Sequence, residues 1–215
     1  MALAVTDIMV CNLALGALGS PSITTISPAI SPVQRTLELW YDETKNQVLR
    51  EHVWNFSKTT MALARTGTPI NPNYADEYQL PPDFVRFVDV LDSSGYSYIT
   101  SQGQDKDITG NNLLLNASGS STVYLIYVSN AVTPARFSSD FKKCFVALLA
   151  SNIAMAVTKK TSDKTTQLAI YKQELARAKT VDGQENPPQL ISSSRWMAAR
   201  FRNSGYSGYP NVVAP

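Results

Sequence analysis

Residues 141–157 form the segment that most constrains how this chain can fold, because they are apolar almost all the way round a helix. Such a helix is stable in water only when other elements cover it on every side. Ser139 precedes the segment as a potential helix cap, and the polar run at residues 159–164 ends it. We therefore expect a central helix with the rest of the chain packed around it.

Three further segments have the apolar period of helices. Residues 6–18 are predicted to form the first helix, and residues 163–179 the fourth. Ser31 and Gln34 have the spacing of a capping box, and they predict a second helix that ends near Val53. The apolar stripes comprise Val33, Leu37, Trp40, Tyr41 and Val48 on the second helix, and Leu168, Tyr171, Leu175 and Ala178 on the fourth.

Between the second and third helices the pattern changes to that of strands. Residues 55–65 are predicted to be extended. Short strands follow at residues 84–90, 96–100, 112–115 and 122–128, where apolar and β-branched residues alternate with turns rich in Gly, Asn and Ser. This spacing is typical of a small antiparallel meander.

The predicted fold class is therefore α+β: a bundle of about four helices, an inserted small antiparallel β meander and an extended C-terminal arm. We divide the chain into a helical part with the first extended segment at 1–65 and a β insert at 66–128. The bundle then continues at 129–183, and the arm occupies 184–215.

Composition excludes several classes of protein. Hydrophobic residues make up 44% of the chain and charged residues only 17%, which suggests that partners cover part of the surface. The net charge of +2 excludes a strongly basic nucleic-acid binder. Two cysteines and one histidine leave too few ligands for a zinc site, so we expect no metal and no cofactor.

Neither of the two apolar stretches predicts export or a membrane span. The first basic residue is Arg35, so residues 1–18 lack the positive region of a signal peptide. Residues 144–157 are shorter than the ~20 residues that a bilayer span needs. We expect a soluble protein made in the cytoplasm, with Cys11 and Cys144 as free thiols.

A nucleophilic cysteine is the first enzymatic interpretation. Cys11 or Cys144 would need a base, and His52 is the only histidine. Both cysteines lie on apolar helical faces, which favours buried, inert thiols. We expect His52, at a helix end, to interact with the C-terminal carbonyls of that helix.

Paired acids are the second enzymatic interpretation. A glycosidase needs two carboxyls that face each other across a cleft. The pairs Asp76–Glu77 and Asp105/Asp107 are close only in sequence, which favours solvated loop charges. We therefore predict no catalytic residue and no enzymatic activity.

Two sets of basic residues remain. The first set lies near helix ends and is typical of a solvated face. A ring of repeated chains could nevertheless concentrate its positive charge in a pore. The set comprises Lys142, Lys143, Lys159, Lys160 and Lys164. Residues 184–215 carry one acid and lack aliphatic periodicity, so a plain terminus and a docking arm both stay open. The arm would act through Arg195, Trp196, Arg200, Phe201, Arg202, Tyr206 and Tyr209.

Several motifs, in order, resemble the tail tubular protein A family of tailed bacteriophages, whose members are head-to-tail adaptor (connector) proteins. The resemblance covers about residues 5–182. The motifs are VCNLALGALG at 10–19, VWNFS at 53–57, MALA at 61–64, YQLPPD at 78–83, the strand at 124–128 and the alanine-rich helix at 141–156.

The resemblance implies a structural virion protein at the head-tail junction, made in the host cytoplasm. Its subunits would form a ring, by resemblance dodecameric, between the portal protein and a tail nozzle or other tail protein. Genomic DNA would pass through the channel without sequence recognition. A ring needs a head-to-tail interface on each subunit, which suits the low charge content.

The same resemblance implies roles for the motif residues. Trp54, Asn55 and Phe56 would fix the angle between the helices and the β insert, as core packing rather than as a binding site. Tyr78, Leu80 and Pro81 would lead into the insert. The arm would dock on the portal.

Two alternatives stay open from the sequence. One is a cell-wall hydrolase carried on the virion, which would use an acid such as Asp76 or Glu77. The other is a sequence-independent DNA-binding protein, for which binding by the isolated monomer would depend on salt.

Overall fold

Four helices and six strands make up the part of the chain described by the computed structural model, which covers residues 6–67, 69–99, 103, 105–117 and 119–185. The helices are α1 (Asp7–Ala17), α2 (Pro32–Glu51), α3 (Ser139–Val157) and α4 (Thr161–Gln184). The strands are β1 (Lys58–Gly67), β2 (Asp76–Gln79), β3 (Phe84–Leu91), β4 (Lys106–Thr109), β5 (Asn112–Leu115) and β6 (Thr122–Ser129). The fold is α+β with an antiparallel sheet, as predicted.

Side-chain caps fix where the helices begin. Thr6 Oγ1 accepts from the backbone N–H of Met9 at the start of α1. At α2 the capping box is complete, because Ser31 Oγ accepts from the Gln34 N–H and Gln34 Oε1 accepts from the Ser31 N–H. Helix α3 is capped by Ser138, one residue before the predicted cap.

Helix α3 lies at the centre of the first hydrophobic core, as its sequence predicts. Helices α1, α2 and α4 all contact it. Its buried side chains occupy every side of the helix: Phe141, Cys144, Phe145, Ala147, Leu148, Leu149, Ala150, Ser151, Ile153 and Ala154. The predicted stripe of α4 packs against the same core.

Two helix predictions are wrong in detail. Trp40 is 41% exposed and does not belong to the buried stripe of α2, which continues instead through Thr44 and Leu49. Helix α4 does not end near Lys179 but runs on to Gln184. The extra turn carries Asp182, a buried carboxylate whose hydrogen bonds stabilise it.

The six strands form one curled sheet in the order β3-β6-β1-β2-β5-β4. Strand β1 pairs with β6 from Lys58↔Val128 to Ala64↔Thr122. Its pairing with β2 is limited to Arg65↔Tyr78 and Gly67↔Glu77. Because β3 and β4 follow each other in sequence but lie at opposite edges, the order differs from that of a simple meander.

A second hydrophobic core fills the curled sheet. Tyr78, Leu113, Leu115, Val123 and Leu125 are among its fully buried side chains. Alternation along the strands places these residues on the inner face and their neighbours outside. Helices and sheet therefore each have a core of their own.

The strand predictions need three corrections. Residues 96–99 form only an isolated bridge, between Ser97 and Leu91, and not a strand. Strands β2 and β4 were not predicted, because acidic residues are unfavourable in strands and here interrupt the alternation of apolar and polar residues that indicates a strand. The extended segment predicted at 55–65 is confirmed for residues 58–65, which lie in β1, whereas residues 55–57 form a 3-10 turn.

We predict that Leu149→Ala lowers the free energy of unfolding by about 2–5 kcal/mol, because it leaves a cavity beside the central helix. Leu39→Ala is the matched control: Leu39 is 76% exposed whereas Leu149 is fully buried, so its effect should stay within about 0.5 kcal/mol. Urea unfolding followed by circular dichroism measures both. Equal losses would contradict the placement of α3 at the centre.

Candidate functional site

The chain turns from α2 into the sheet at residues 54–56. Trp54 is fully buried, its indole N–H donates to the Val48 carbonyl at 2.9 Å, and its ring lies edge-on to Phe141 at 5.1 Å. The ring of Phe56 contacts Phe141 from another side, with centroids 4.8 Å apart. These side chains hold the start of β1 against α3, which is a packing role.

Asp182 holds this junction from the last turn of α4. Its carboxylate accepts from the Asn55 backbone N–H at 3.2 Å, and its carbonyl accepts from the Asn55 side-chain amide at 2.8 Å. His52 Nε2 lies 3.0 Å from the same carboxylate. His52 therefore contacts Asp182 and not the helix carbonyls that we expected. We call His52, Asn55 and Asp182 the junction cluster.

The motif residues at the end of β2 and just after it are buried: Tyr78, Leu80 and Pro81. Tyr78 Oη donates to the Ser120 carbonyl at 2.7 Å. Burial, and then the nearby Asp76 carboxylate, raise the pKa of Tyr78 to about 12. The tyrosine is therefore a neutral structural donor.

Asp76 and Glu77 are not solvated loop charges, because both lie in β2. Asp76 is fully buried, with Arg65 Nε 2.6 Å from one carboxylate oxygen. Its other oxygen accepts from the N–H groups of Ala117 and Gly119 at 3.1 Å each. Successive strand residues point to opposite faces, so the two acids do not face each other across a cleft.

Both cysteines are buried free thiols, as predicted. Desolvation, with a smaller contribution from nearby carboxylates, raises the pKa of Cys11 and of Cys144 to about 12. The described contacts of His52 are with Asp182 and the Trp54 ring. A thiolate activated by this histidine is therefore not assembled among the described residues.

The predicted basic set divides into two groups. Lys142 and Lys143 lie near the start of α3, whereas Lys159 and Lys160 lie in the α3–α4 turn and Lys164 in the first turn of α4. A rise of 1.5 Å per residue separates the two groups by roughly 25 Å. One continuous patch of these lysines is therefore not formed within one chain.

A polar cleft of about 490 Å³ lies between α2 and β3, and the sequence did not predict it. It is lined by Gln47, Arg50, Glu51 and Arg86. Arg86 Nη1 donates to the Arg50 carbonyl at 3.1 Å, which satisfies a free carbonyl in the last turn of α2. Glu51 lies 3.4 Å from another cation, the Lys179 ammonium, which offsets its negative charge. The guanidinium groups of Arg50 and Arg86 therefore give the cleft a positive character.

The arm was predicted to begin at residue 184, but Gln184 is the last residue of α4 and Glu185 caps it. Residues 186–215, with all the predicted docking residues, lie outside the described residues. Among the helices that are described, none combines the length and the hydropathy that a bilayer span requires. Within the same residues, no three His, Cys, Asp or Glu side chains come together in a way that could hold a metal ion.

Comparison with known protein families gives no match, and comparison with curated proteins gives none either.

Sequence reasoning missed Asp182, Arg50 and Arg86. Asp182 continues the spacing of Tyr171, Leu175 and Ala178, so extending that stripe by one turn would have indicated a buried carboxylate. The two arginines carry no comparable signal, since only the tertiary fold brings α2 and β3 together.

We predict that Asp182→Ala lowers the free energy of unfolding by about 1–3 kcal/mol, because the Asn55 N–H loses its acceptor. Glu185→Ala, an exposed acid one turn away, should change it by less than about 0.5 kcal/mol. Chemical unfolding measures both variants. A silent Asp182→Ala would show that the junction cluster does not stabilise the fold.

We also predict that neither native thiol reacts measurably with a thiol reagent at pH 8, because a pKa of about 12 leaves almost no thiolate. Guanidinium should release both thiols at once. The neutral thiols should contribute their full stability below pH 9, the ordinary value, and lose it as the pH rises towards 12. Rapid labelling of the folded protein at pH 8 would contradict the burial of both groups.

Proposed function

We propose that this chain is a head-to-tail adaptor of a tailed bacteriophage. It is a structural subunit of a ring, dodecameric by resemblance, that lies between the portal protein and the tail in the virion. The ordered motifs from residue 10 to residue 156 support the proposal, and their aromatic residues Trp54 and Phe56 lie at the helix–sheet junction. The subunit works by its shape and has no enzymatic activity.

Exposed apolar side chains on the first two helices are the structural observation that carries this proposal. Met9 and Leu13 on α1 are 37% and 43% exposed, and Leu39 and Trp40 on α2 are 76% and 41% exposed. Met9 and Leu13 lie one turn apart on α1, and Leu39 and Trp40 are adjacent on α2. Each pair exposes a small apolar patch of the kind that a partner surface can cover. A ring covers such surfaces by repeating one head-to-tail contact.

Chemistry within the described residues also favours a structural role. The thiols are buried and protonated, and Asp76 is bound to backbone N–H groups and to Arg65. A hydrolase would need such groups to face a substrate. This placement favours the adaptor over the hydrolase alternative.

In this proposal the helices form a bundle around the channel, the β insert points to the tail and an extended arm reaches the portal. The lysines at the α3–α4 turn, Lys159, Lys160 and Lys164, would line one level of the channel. Repeated by the ring, they would neutralise phosphates of passing DNA without reading its sequence.

The arm supplies the contact with the portal. Residues 186–215 carry Arg195, Arg200 and Arg202 and no acid. Arginine and tryptophan dominate the energetics of protein interfaces, so Trp196 and its neighbours would anchor the arm in a groove of the portal. Because α4 continues to Gln184, a truncation that tests the arm has to begin after Glu185.

We predict that electron micrographs of the purified chain mixed with its portal protein show rings seated on the portal. Trp40→Glu should abolish the rings, since it places a charge in the subunit contact, and deletion of residues 186–215 should abolish portal binding. Thr166→Glu, on an exposed face of α4, is the matched control and should leave the rings intact.

Circular dichroism melting should be unchanged in all three variants, which separates loss of assembly from loss of the fold. A full-length chain that never associates with the portal would contradict the proposed function. Portal binding that survives the deletion would contradict only the role of the arm.

A further inference from the structure

The two arginines in the cleft between α2 and β3 have no acidic partner. Arg86 is held in place by the Arg50 carbonyl, to which its Nη1 donates at 3.1 Å. Among the described residues, no carboxylate forms an ion pair with either guanidinium group. Glu51 lines the same cleft, but its carboxylate lies 3.4 Å from the Lys179 ammonium. The cleft therefore brings two like charges together without a counter-ion.

The cleft continues along α2 into an adjoining cleft of about 340 Å³. Gln47 and Arg50 line both, so the two form one continuous space, which we call the α2–β3 groove. Beyond the arginines and apart from Glu43, the groove is lined by apolar and amide side chains: Asn46, Phe84, Val85 and Asn130. One end of the groove is thus charged, and the other is largely uncharged.

A bulge in β3 forms the strand side of the groove. The register moves by two residues on β3, from Phe84 to Arg86, but by only one on β6. Neighbouring residues of a regular strand point to opposite faces of the sheet, whereas Phe84 and Val85 both line the groove. Bulges re-aim side chains in this way, and they are frequent beside functional sites.

The charge of the groove suits a single carboxylate. Arg50 and Arg86 line it, the Lys179 ammonium lies beside Glu51, and Glu43 is the second acid in the lining. Three cations and two carboxylates leave one positive charge, which one carboxylate neutralises. Arginine also presents paired N–H groups that fit both oxygens of a carboxylate.

Phosphate groups suit the groove less well. The arginines lie at the C-terminal end of α2, where the helix dipole is negative. A strand of DNA brings several negative charges and would meet this dipole together with Glu43 and Glu51. The balance of charges therefore favours a monoanion over a polyanion.

We propose that the α2–β3 groove binds a segment of a partner polypeptide that carries one Asp or Glu next to an aliphatic residue. The carboxylate lies between the guanidinium groups of Arg50 and Arg86. The aliphatic side chain packs on Phe84 and Val85. Gln47, which lines both parts of the groove, supplies an amide for the peptide backbone between the two anchors.

A capping role of Arg86 alone would account for its bond to the Arg50 carbonyl, but not for the Arg50 side chain. The two roles differ in what Arg50 does: capping leaves its guanidinium without effect, whereas binding requires it. The contact is additional to the proposed ring and to the proposed arm, and it does not rest on either.

An NMR titration of the isotope-labelled full-length chain tests the groove. The probe is the peptide acetyl-Leu-Glu-amide, and its uncharged match is acetyl-Leu-Gln-amide. The Glu peptide should shift the side-chain N–H signals of Arg50, Arg86 and Gln47 until they saturate. The Gln peptide should bind at least roughly tenfold more weakly, because it cannot form charge-assisted hydrogen bonds. Added NaCl should weaken binding of the Glu peptide.

Three variants separate binding from folding. Arg50→Gln and Arg86→Lys should each weaken binding of the Glu peptide by at least roughly tenfold. Arg86→Lys keeps the charge and a donor for the Arg50 carbonyl but lacks the paired N–H groups. Arg35→Gln removes the same charge from the same helix, at an exposed site roughly 22 Å from Arg50, and should leave binding unchanged. Circular dichroism melting should be the same in all three variants.

Three results would overturn the proposal. The first is a Glu peptide that gives no saturating shift of the Arg50 and Arg86 signals up to about 10 mM. The second is equal binding of the Glu and Gln peptides. The third is inorganic phosphate or an oligothymidylate that binds the same side chains more tightly than the Glu peptide, which would assign the groove to phosphates. None of the three would affect the proposed binding to the portal, which the micrographs test.

Discussion

Helix α3 can exist in water only because three other helices cover it. Its buried residues lie on every side, so no single partner helix could hide them. α1, α2 and α4 take positions set by that requirement, and the aromatic rings of Trp54 and Phe56 extend the cover to the start of the sheet. Because Trp54 and Phe56 pack against Phe141 of α3, they set the direction in which β1, and with it the sheet, leaves the helices.

The sequence predicts the helices well because their signals are local. The caps at Thr6 and Ser31 and the all-round apolar character of α3 need no tertiary information. The strands β2 and β4 were missed, because their charges are neutralised or bonded only once distant residues meet: Asp76 needs Arg65, Ala117 and Gly119. The last turn of α4 was missed although the stripe of Tyr171, Leu175 and Ala178 leads to Asp182 one turn later.

The site residues divide in a similar way. Burial of Cys11 and Cys144 could be predicted from the faces on which they lie. The contacts of Asp182 with Asn55 and His52 span more than 120 positions of sequence, and no local pattern encodes them. What joins the helices to the sheet is thus a set of long-range polar contacts within a shell of aromatic packing, which suits the structural role that we propose.

The two cores differ in how they are distributed along the chain. The sheet core draws on a continuous stretch, from Leu63 to Tyr127, whereas the helical core needs Val10 at one end and Ala178 at the other. During synthesis the sheet can close while α3 and α4 are still inside the ribosome. Until they emerge, the apolar faces of α1 and α2 have nothing to pack against, and nascent chains are exposed to aggregation and to chaperones at that stage.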